Sequence, residues 1–228
     1  MRPLILLDSI DTCLSLDPLR LSMFRLGLAE SHLELWFTRA LRDAFAREVV
    51  GEFVPFKDVL IDALEALLIS RGKPAERDEC EAIVDDFSEL PPHPDVRPAL
   101  ERARAEGLRV AVVMNGSEKA TRKAFDRANL AELVERFISA DEIEHYKPSR
   151  DVYLHAVRVL GVRLHTCVLV TAHPWDVRGA LSAGLGAAFV QRREAITADL
   201  ANDLVASRPS LEALFADLEQ VTEIRRSA

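Results

Sequence analysis

Three polar clusters in this chain stand where a run of apolar residues ends, Asp8-Ser9-Ile10-Asp11-Thr12, Met114-Asn115-Gly116-Ser117 and Thr171-Ala172-His173-Pro174-Trp175-Asp176, and a fourth, Tyr146-Lys147-Pro148, follows a weaker strand-like run and the acidic Asp141-Glu142-Ile143-Glu144. An ionised aspartate in such a place can attack an electrophilic carbon or phosphorus and form an enzyme-bound ester. Lys147 is the cation that can orient that carboxylate by charge pairing, and the Thr12 hydroxyl can fix its loop. Asp176 is suited to directing the water that hydrolyses the ester. Asn115, with the amides of Gly116 and Ser117 at a helix start, suits a substrate carboxylate or a leaving anion. Tyr153 can donate a hydrogen bond toward the site or to Lys147. Each residue also has a plainer reading. Asp8 is equally a strand-end turn former, Asp176 a helix N-cap and Trp175 packing beneath the site. His173 is either a base or a hydrogen-bonded filler.

Chemistry at these positions requires elements that bring them together. Pro3–Leu7, Arg109–Val113, Thr166–Val170 and Gly186–Val190 read as strands buried on both faces, with a weaker strand around Arg136–Ser139. Helical periodicity fills the intervals Pro94–Glu106, Ser117–Asn129, Ser149–Leu160 and Trp175–Ala183. Gly107, Gly161 and Gly184 each close a helix before the next strand. This alternation predicts an α/β protein with a doubly wound parallel sheet. In open sheets of that kind ligands bind beyond the carboxyl ends of the strands, where the four clusters lie. The interval from Asp17 to Leu90 breaks the rhythm with four helical stretches, Pro18–Leu28, Ser31–Val49, Phe56–Ser70 and Pro74–Ser88. The second carries an apolar stripe of Leu33, Trp36, Phe37, Ala40, Leu41, Ala44 and Phe45. The expected organisation is a core of residues 1–15 plus 92–228 with a helical cap, 16–91, inserted after the first strand. The tail from Asp199 reads as two more helices ending in a frayed Arg225-Arg226-Ser227-Ala228.

Composition narrows the partners. The net charge of -8 is spread without a basic block, so the chain carries no electrostatic footprint for nucleic acid or an acidic membrane. No apolar stretch approaches the roughly 18–20 residues that span a bilayer, and the segment from Met1 to Asp8 is too short for a signal sequence. Cys13, Cys80 and Cys167 are odd in number and unclustered, which fits reduced thiols in a cytoplasmic setting.

Taken in order, the clusters resemble the haloacid dehalogenase superfamily, in its type II, L-2-haloacid dehalogenase-like branch, over nearly the whole chain. The strand-one pattern is Asp8 to Thr12 followed by Cys13-Leu14, and the Asn-Gly-Ser motif is Asn115-Gly116-Ser117. Lys147, Pro148 and Tyr153 match the next motif, and Trp175-Asp176 the last, within a His-Pro-Trp-Asp variant. The resemblance implies a Rossmann-like core under a helical cap and hydrolysis of a small 2-substituted, 2-halo carboxylic acid through an Asp8 ester. It implies Asp8, Thr12, Lys147 and Asp176 as catalytic, with no metal or cofactor. Asn115, Gly116, Ser117, Tyr153 and His173 would bind substrate, and a homodimer is the implied assembly. Several positions depart from the family pattern. Met114 replaces a hydroxyl residue, His173 replaces Asn, and Phe37 stands where a halide-binding arginine is expected, leaving Arg39 or Arg42 as substitutes. Thr171 keeps the hydroxyl where the family has Ser. Two other readings stay open. A magnesium-dependent phosphate-ester hydrolase is opposed by Ile10, where phosphatases carry a second aspartate, and by Met114. A catalytically degenerate binding protein is favoured by Met114 and Phe37 and opposed by the retained Asp8, Lys147 and Asp176.

Overall fold

The computed structural model describes residues 3–218 and 220. A strand covered on both faces cannot alternate apolar with polar residues, and β1 (Leu4–Asp8) and β2 (Val110–Met114) accordingly have every residue buried. The same holds for β4 (Cys167–Thr171) and β5 (Gly186–Val190), while the weaker β3 (Arg136–Ser139) lies on an edge. With β6 (Ala206–Arg208) these form one six-stranded parallel sheet in the order β3-β2-β1-β4-β5-β6. Strand order reverses on either side of β1, so the crevice at the carboxyl end of β1 is the topological switch point. In register, Asp8 stands opposite Val113, and Leu7 opposite Val170.

Alternate residues of each strand feed two separate cores. Leu4 and Leu6 pack with α7 (Arg150–Val159) and α8 (Pro174–Ala183). Ile5 and Leu7 pack on the other face with α5 (Val96–Ala105), α6 (Glu118–Arg127) and α10 (Leu211–Leu218). The sheet is therefore doubly wound, as the strand and helix alternation predicts. The tail departs from its expected pair of helices. Its first helix, α9 (Ala198–Ala201), is one short turn, and β6 follows it as a sixth strand. Ala-Ser-Arg has no β-branched or aromatic residue to announce a strand, and its assignment comes from pairing along β5, Ala188 with Ala206. The segment Arg225-Arg226-Ser227-Ala228, expected to fray, lies outside the described residues.

Between β1 and α5 run α1 (Leu19–Arg25), α2 (His32–Val50), α3 (Phe56–Ser70) and α4 (Arg77–Asp85), the last continued by a 3-10 turn, Asp86–Glu89. The stripe of α2 is buried as its spacing predicts, apart from the half-buried Phe45. Trp36 is its anchor, donating from Nε1 to the Leu60 carbonyl (2.8 Å) and meeting the Phe87 ring edge-on at 6.0 Å. The core of this helical segment is continuous with the Ile5 and Leu7 face of the sheet. Polar seams complete the junction. Glu48 accepts from the Tyr146 N–H (2.8 Å) and pairs with His145, while the Tyr146 hydroxyl donates to the Val54 carbonyl (2.5 Å). Among the described residues no helix is long and apolar enough to cross a membrane.

Trp36→Phe keeps most of the buried ring but removes the second hydrogen bond on the Leu60 carbonyl, which α3 already engages, at an expected cost of about 0.5–1.5 kcal/mol. Trp36→Ala adds a cavity and should cost about 3–5 kcal/mol. Urea unfolding should show both as lowered midpoints at an unchanged slope; equal midpoints for wild type and both variants contradict the anchoring role.

Candidate active site

Asp8 reaches the switch point because β1 ends there and the chain turns at once through Asp11, whose φ of 57° places it in the left-handed region. The turn directs Thr12 back onto Asp8. Its hydroxyl donates to Asp8 Oδ2 (2.6 Å) and accepts from the Ala172 N–H (2.9 Å), tying the end of β1 to the end of β4. Asp11 points away, pairing with Arg193 at 3.2 Å.

Lys147 arrives from the loop after β3 and is the hinge of the site. Its ammonium donates to Asp8 Oδ1 (2.6 Å), to Asp176 Oδ2 (2.9 Å) and to the Val113 carbonyl (3.3 Å). Its backbone N–H donates to Asn115 Oδ1 (2.6 Å), and the peptide that follows, to Pro148, is cis. Burial alone would lower the pKa of this amine, but the carboxylates of Asp176 and Asp8 outweigh it and raise it. The ammonium therefore stays charged.

Asp176, in the first turn of α8, is fully buried, and its second oxygen accepts from the Tyr153 hydroxyl at 2.5 Å. Burial, and then the Asp176 charge, push the Tyr153 phenol well up, so it remains a donor. Room for this bond comes from Gly179, one helical turn beyond Asp176. A Cβ there would overlap the Tyr153 hydroxyl and lie 2.6 Å from Pro148 Cβ.

A cavity of about 470 Å³ opens over Asp8. Asp8, Ser9, Asn115, Gly116, Ser117, Lys147, His173 and Trp175 line it from the sheet side, and Phe37, Leu41, Phe56, Leu60, Val84 and Phe87 from the helical segment. The structure thus gathers Asp8, Thr12, Asn115, Gly116, Ser117, Lys147, Tyr153, His173 and Asp176 around one point, in two tiers. Asp176, Tyr153 and Thr12 do not wall the cavity: they hold the groups that do. Asp176 is fully buried behind the cavity wall, with one oxygen on Lys147 and the other on Tyr153. Met114 is buried but leaves the cavity clear. Arg39 is not gathered in: it reaches the Ser70 hydroxyl at 3.4 Å, and Arg42 lies exposed beside Asp43. Both positions fall off the buried stripe of α2 that Phe37 and Leu41 present to the cavity. Burial, with the Asp8 charge next, pushes the Cys13 thiol well up, which fits an inert packing residue.

Residues that the sequence reading passed over come from the turn after β5. Arg192 donates to the Thr12 carbonyl (3.1 Å) and pairs with Asp95 (2.8 Å). Arg193 pairs with Asp11, Asp17 and Glu34, and Glu194 meets His173 Nδ1 at 2.5 Å. The other ring nitrogen, Nε2, lies 3.0 Å from the Ile10 carbonyl and 3.8 Å from Asp8 Oδ2. The ring stacks on Trp175 with centroids 5.2 Å apart. Burial disfavours a charged imidazole here, but the Glu194 hydrogen bond and the Asp8 charge overcome it and raise the pKa to about 9. The adjacent Arg192-Arg193-Glu194 charges were the available sequence signal, but such runs are usually solvated faces, and nothing local says what they touch.

A family model described as a haloacid dehalogenase-like hydrolase matches residues 26–184, a span that includes Asn115, Lys147 and Asp176 and begins after Asp8. Among curated proteins, the (S)-2-haloacid dehalogenase 1 of Pseudomonas sp. (strain CBS-3) is 32% identical over 166 residues, 73% of each chain. The haloacetate dehalogenase H-2 of Moraxella sp. (strain B) is 26% identical over 69% of this chain and 70% of its own. Among solved structures, the L-2-haloacid dehalogenase from Xanthobacter autotrophicus with chloropropionic acid covalently bound superposes with a TM-score of 0.85 at 21% identity. That superposition covers 95% of this chain and 98% of the other.

Two outcomes follow from the geometry. Gly179→Ala forces Tyr153 or Pro148 to move, which should cost about 1–3 kcal/mol in thermal unfolding; an unchanged melting temperature contradicts the close approach. The raised His173 pKa makes stability pH-dependent. Its contribution is complete below the ordinary value of 6.5 and lost as pH rises through about 9. Urea unfolding should therefore show stability falling over that window by on the order of a few kcal/mol, with a flatter profile in His173→Asn.

Proposed function

Because the chain belongs to the haloacid dehalogenase-like hydrolases, we propose that it displaces halide from a small 2-halo carboxylic acid and releases the 2-hydroxy acid. One observation carries this reading: the Asp8 side chain, 6% exposed, forms part of the cavity wall with one oxygen held by Lys147 and the other by Thr12. A nucleophile fixed at both oxygens attacks with little loss of freedom. An Asp8 oxygen bonds to C2 of the acid as the carbon–halogen bond breaks, and the halide leaves with the bonding electrons. Water then adds to the Asp8 carboxyl carbon, the ester bond breaks, and the 2-hydroxy acid and one proton are released, restoring the carboxylate.

The remaining residues divide the work. Lys147 orients Asp8, Asp176 and Tyr153 hold Lys147, and Thr12 fixes the β1 loop. Asn115, with Gly116 and Ser117 before α6, offers polar groups to the acid's carboxylate, although the Asn115 oxygen and the Ser117 hydroxyl are engaged in placing Lys147 and capping α6. Residues 16–91 act as the cap over a core of 1–15 and 92–228, a division supported by the cavity's having walls from both. The apolar wall excludes water and selects the substituent at C2. The three free, buried cysteines fit a reducing, cytoplasmic setting. Exposed Leu21 and Phe24 on α1 favour a homodimer through the helical faces.

Halide release from a panel of 2-halo acids, with Asp8→Asn as the blank, tests the chemistry. A single turnover in heavy-oxygen water should leave the label in Asp8, and Asp8→Asn should lose at least about a thousandfold in rate. Product formed with an unlabelled Asp8 rules out the ester.

A further inference from the structure

An anionic acid faces an electrostatic obstacle at Asp8. Asp8 and Asp176 carry two negative charges and Lys147 one positive, leaving a net negative centre in a buried place where water screens little. The helical segment offers little help. Phe37 is uncharged, and Arg39 is turned toward Ser70. Lys57 and Lys123 line the cavity but are paired with Glu81, Asp85 and Glu89, and Lys119 stands on the exposed rim.

His173 is differently placed. Its Nδ1 meets a Glu194 carboxylate oxygen at 2.5 Å and its Nε2 meets the Ile10 carbonyl at 3.0 Å. An ionised carboxylate and a carbonyl only accept hydrogen bonds. A neutral imidazole carries one N–H, so it would set a ring lone pair against one of these oxygens; a ring with hydrogens on both nitrogens satisfies both. The Nε2 edge faces Asp8, 3.8 Å from Oδ2, whereas Glu194 sits at the Nδ1 edge with its side chain 44% exposed. Negative charge is thus matched on the solvent side of the ring, and positive charge is presented on the Asp8 side.

We propose that Glu194 is a positioning residue that holds His173 as an imidazolium, and that this imidazolium, rather than an arginine of the helical segment, is the charge that admits an anionic 2-substituted acid to Asp8. The inference rests on the reading of Asp8 as nucleophile toward such an acid. The charged groups facing the ring are Asp8 from β1 and Glu194 from the turn after β5. Lys147 stands beyond Asp8, while α2 and α8 present only the rings of Phe37, at 6.4 Å, and Trp175. Both carboxylates raise the basicity of the ring against the effect of burial, to a pKa of about 9. Over the ordinary neutral range His173 is then an electrophile and not a base.

The test uses the full chain, as wild type, Glu194→Gln and Glu194→Asp. Nitrogen-15 spectra report the protonation of both ring nitrogens against pH, and equilibrium binding of 2-hydroxypropanoate reports anion affinity without any turnover. Wild-type His173 should carry two N–H groups from pH 6 to 8 and titrate near 9. In Glu194→Gln the midpoint should fall to about 7, weakening 2-hydroxypropanoate about tenfold at pH 8 while leaving it within about twofold at pH 6. Glu194→Asp should restore most of both. A neutral ring in the wild type at pH 7 overturns the proposal, and so does an unmoved midpoint in Glu194→Gln or an affinity loss equal at pH 6 and pH 8. Should Glu194→Gln not fold, the wild-type spectrum and the Glu194→Asp titration decide alone. Halide release with a neutral His173 removes the imidazolium and spares the dehalogenation reading. The pH-dependent binding without halide release from any 2-halo acid does the opposite.

Discussion

A single ammonium group, buried between two carboxylates, is the constraint around which the carboxyl edge of this sheet is arranged. Desolvating Lys147, Asp8 and Asp176 together is costly, and only close geometry with every remaining polar atom satisfied offsets it. The surroundings supply that. The Val113 carbonyl takes a third hydrogen bond from the ammonium, Asn115 takes the backbone N–H, and Tyr153 closes the far oxygen of Asp176. The absence of a side chain at Gly179 lets α7 and α8 approach closely enough for that last bond. Strands β1, β2 and β4, the loop after β3 and both helices of one layer therefore converge on one charge.

Two aspartates share this lysine yet have different fates, and the difference lies in their surroundings. Asp8 ends a strand at the switch point and borders the cavity, whereas Asp176 lies inside α8 with both oxygens taken. The first is open to the cavity and the second is sealed behind it, joined to the first through Lys147. A comparable division holds for the turn after β5, whose three successive charged residues reach Thr12, Asp11 and His173. That turn braces the loop after β1 from outside, so the position of Asp8 is set from the fifth strand as well as from its neighbours.

The helical segment contributes shape more than charge. Its apolar core runs into one face of the sheet without a break, and its polar seams, Glu48 with Tyr146 and His145 and Glu34 with Arg193, lie around that contact. Its wall over Asp8 is largely aromatic and aliphatic.

Periodicity was enough to determine the parallel sheet, its two helical layers and the inserted helices, and the order of the polar clusters, through the family resemblance it carries, drew Asp8, Asn115, Lys147 and His173 to one site. Those features are local: strands buried on both faces must be apolar throughout, and the residue after each strand in such a sheet stands at the same edge. Residues whose meaning lies in a distant partner were not legible. Ala206–Arg208 is a strand because β5 pairs with it, Gly179 matters because Tyr153 needs its space, and Glu194 because His173 lies opposite. Arg39 failed as a site residue for the same reason in reverse, since its chemistry is right but the face of α2 that carries it turns from the cavity. Side-chain type and spacing declare what a residue can do; packing between elements far apart in the chain decides what it meets, and that is a property of the tertiary structure alone.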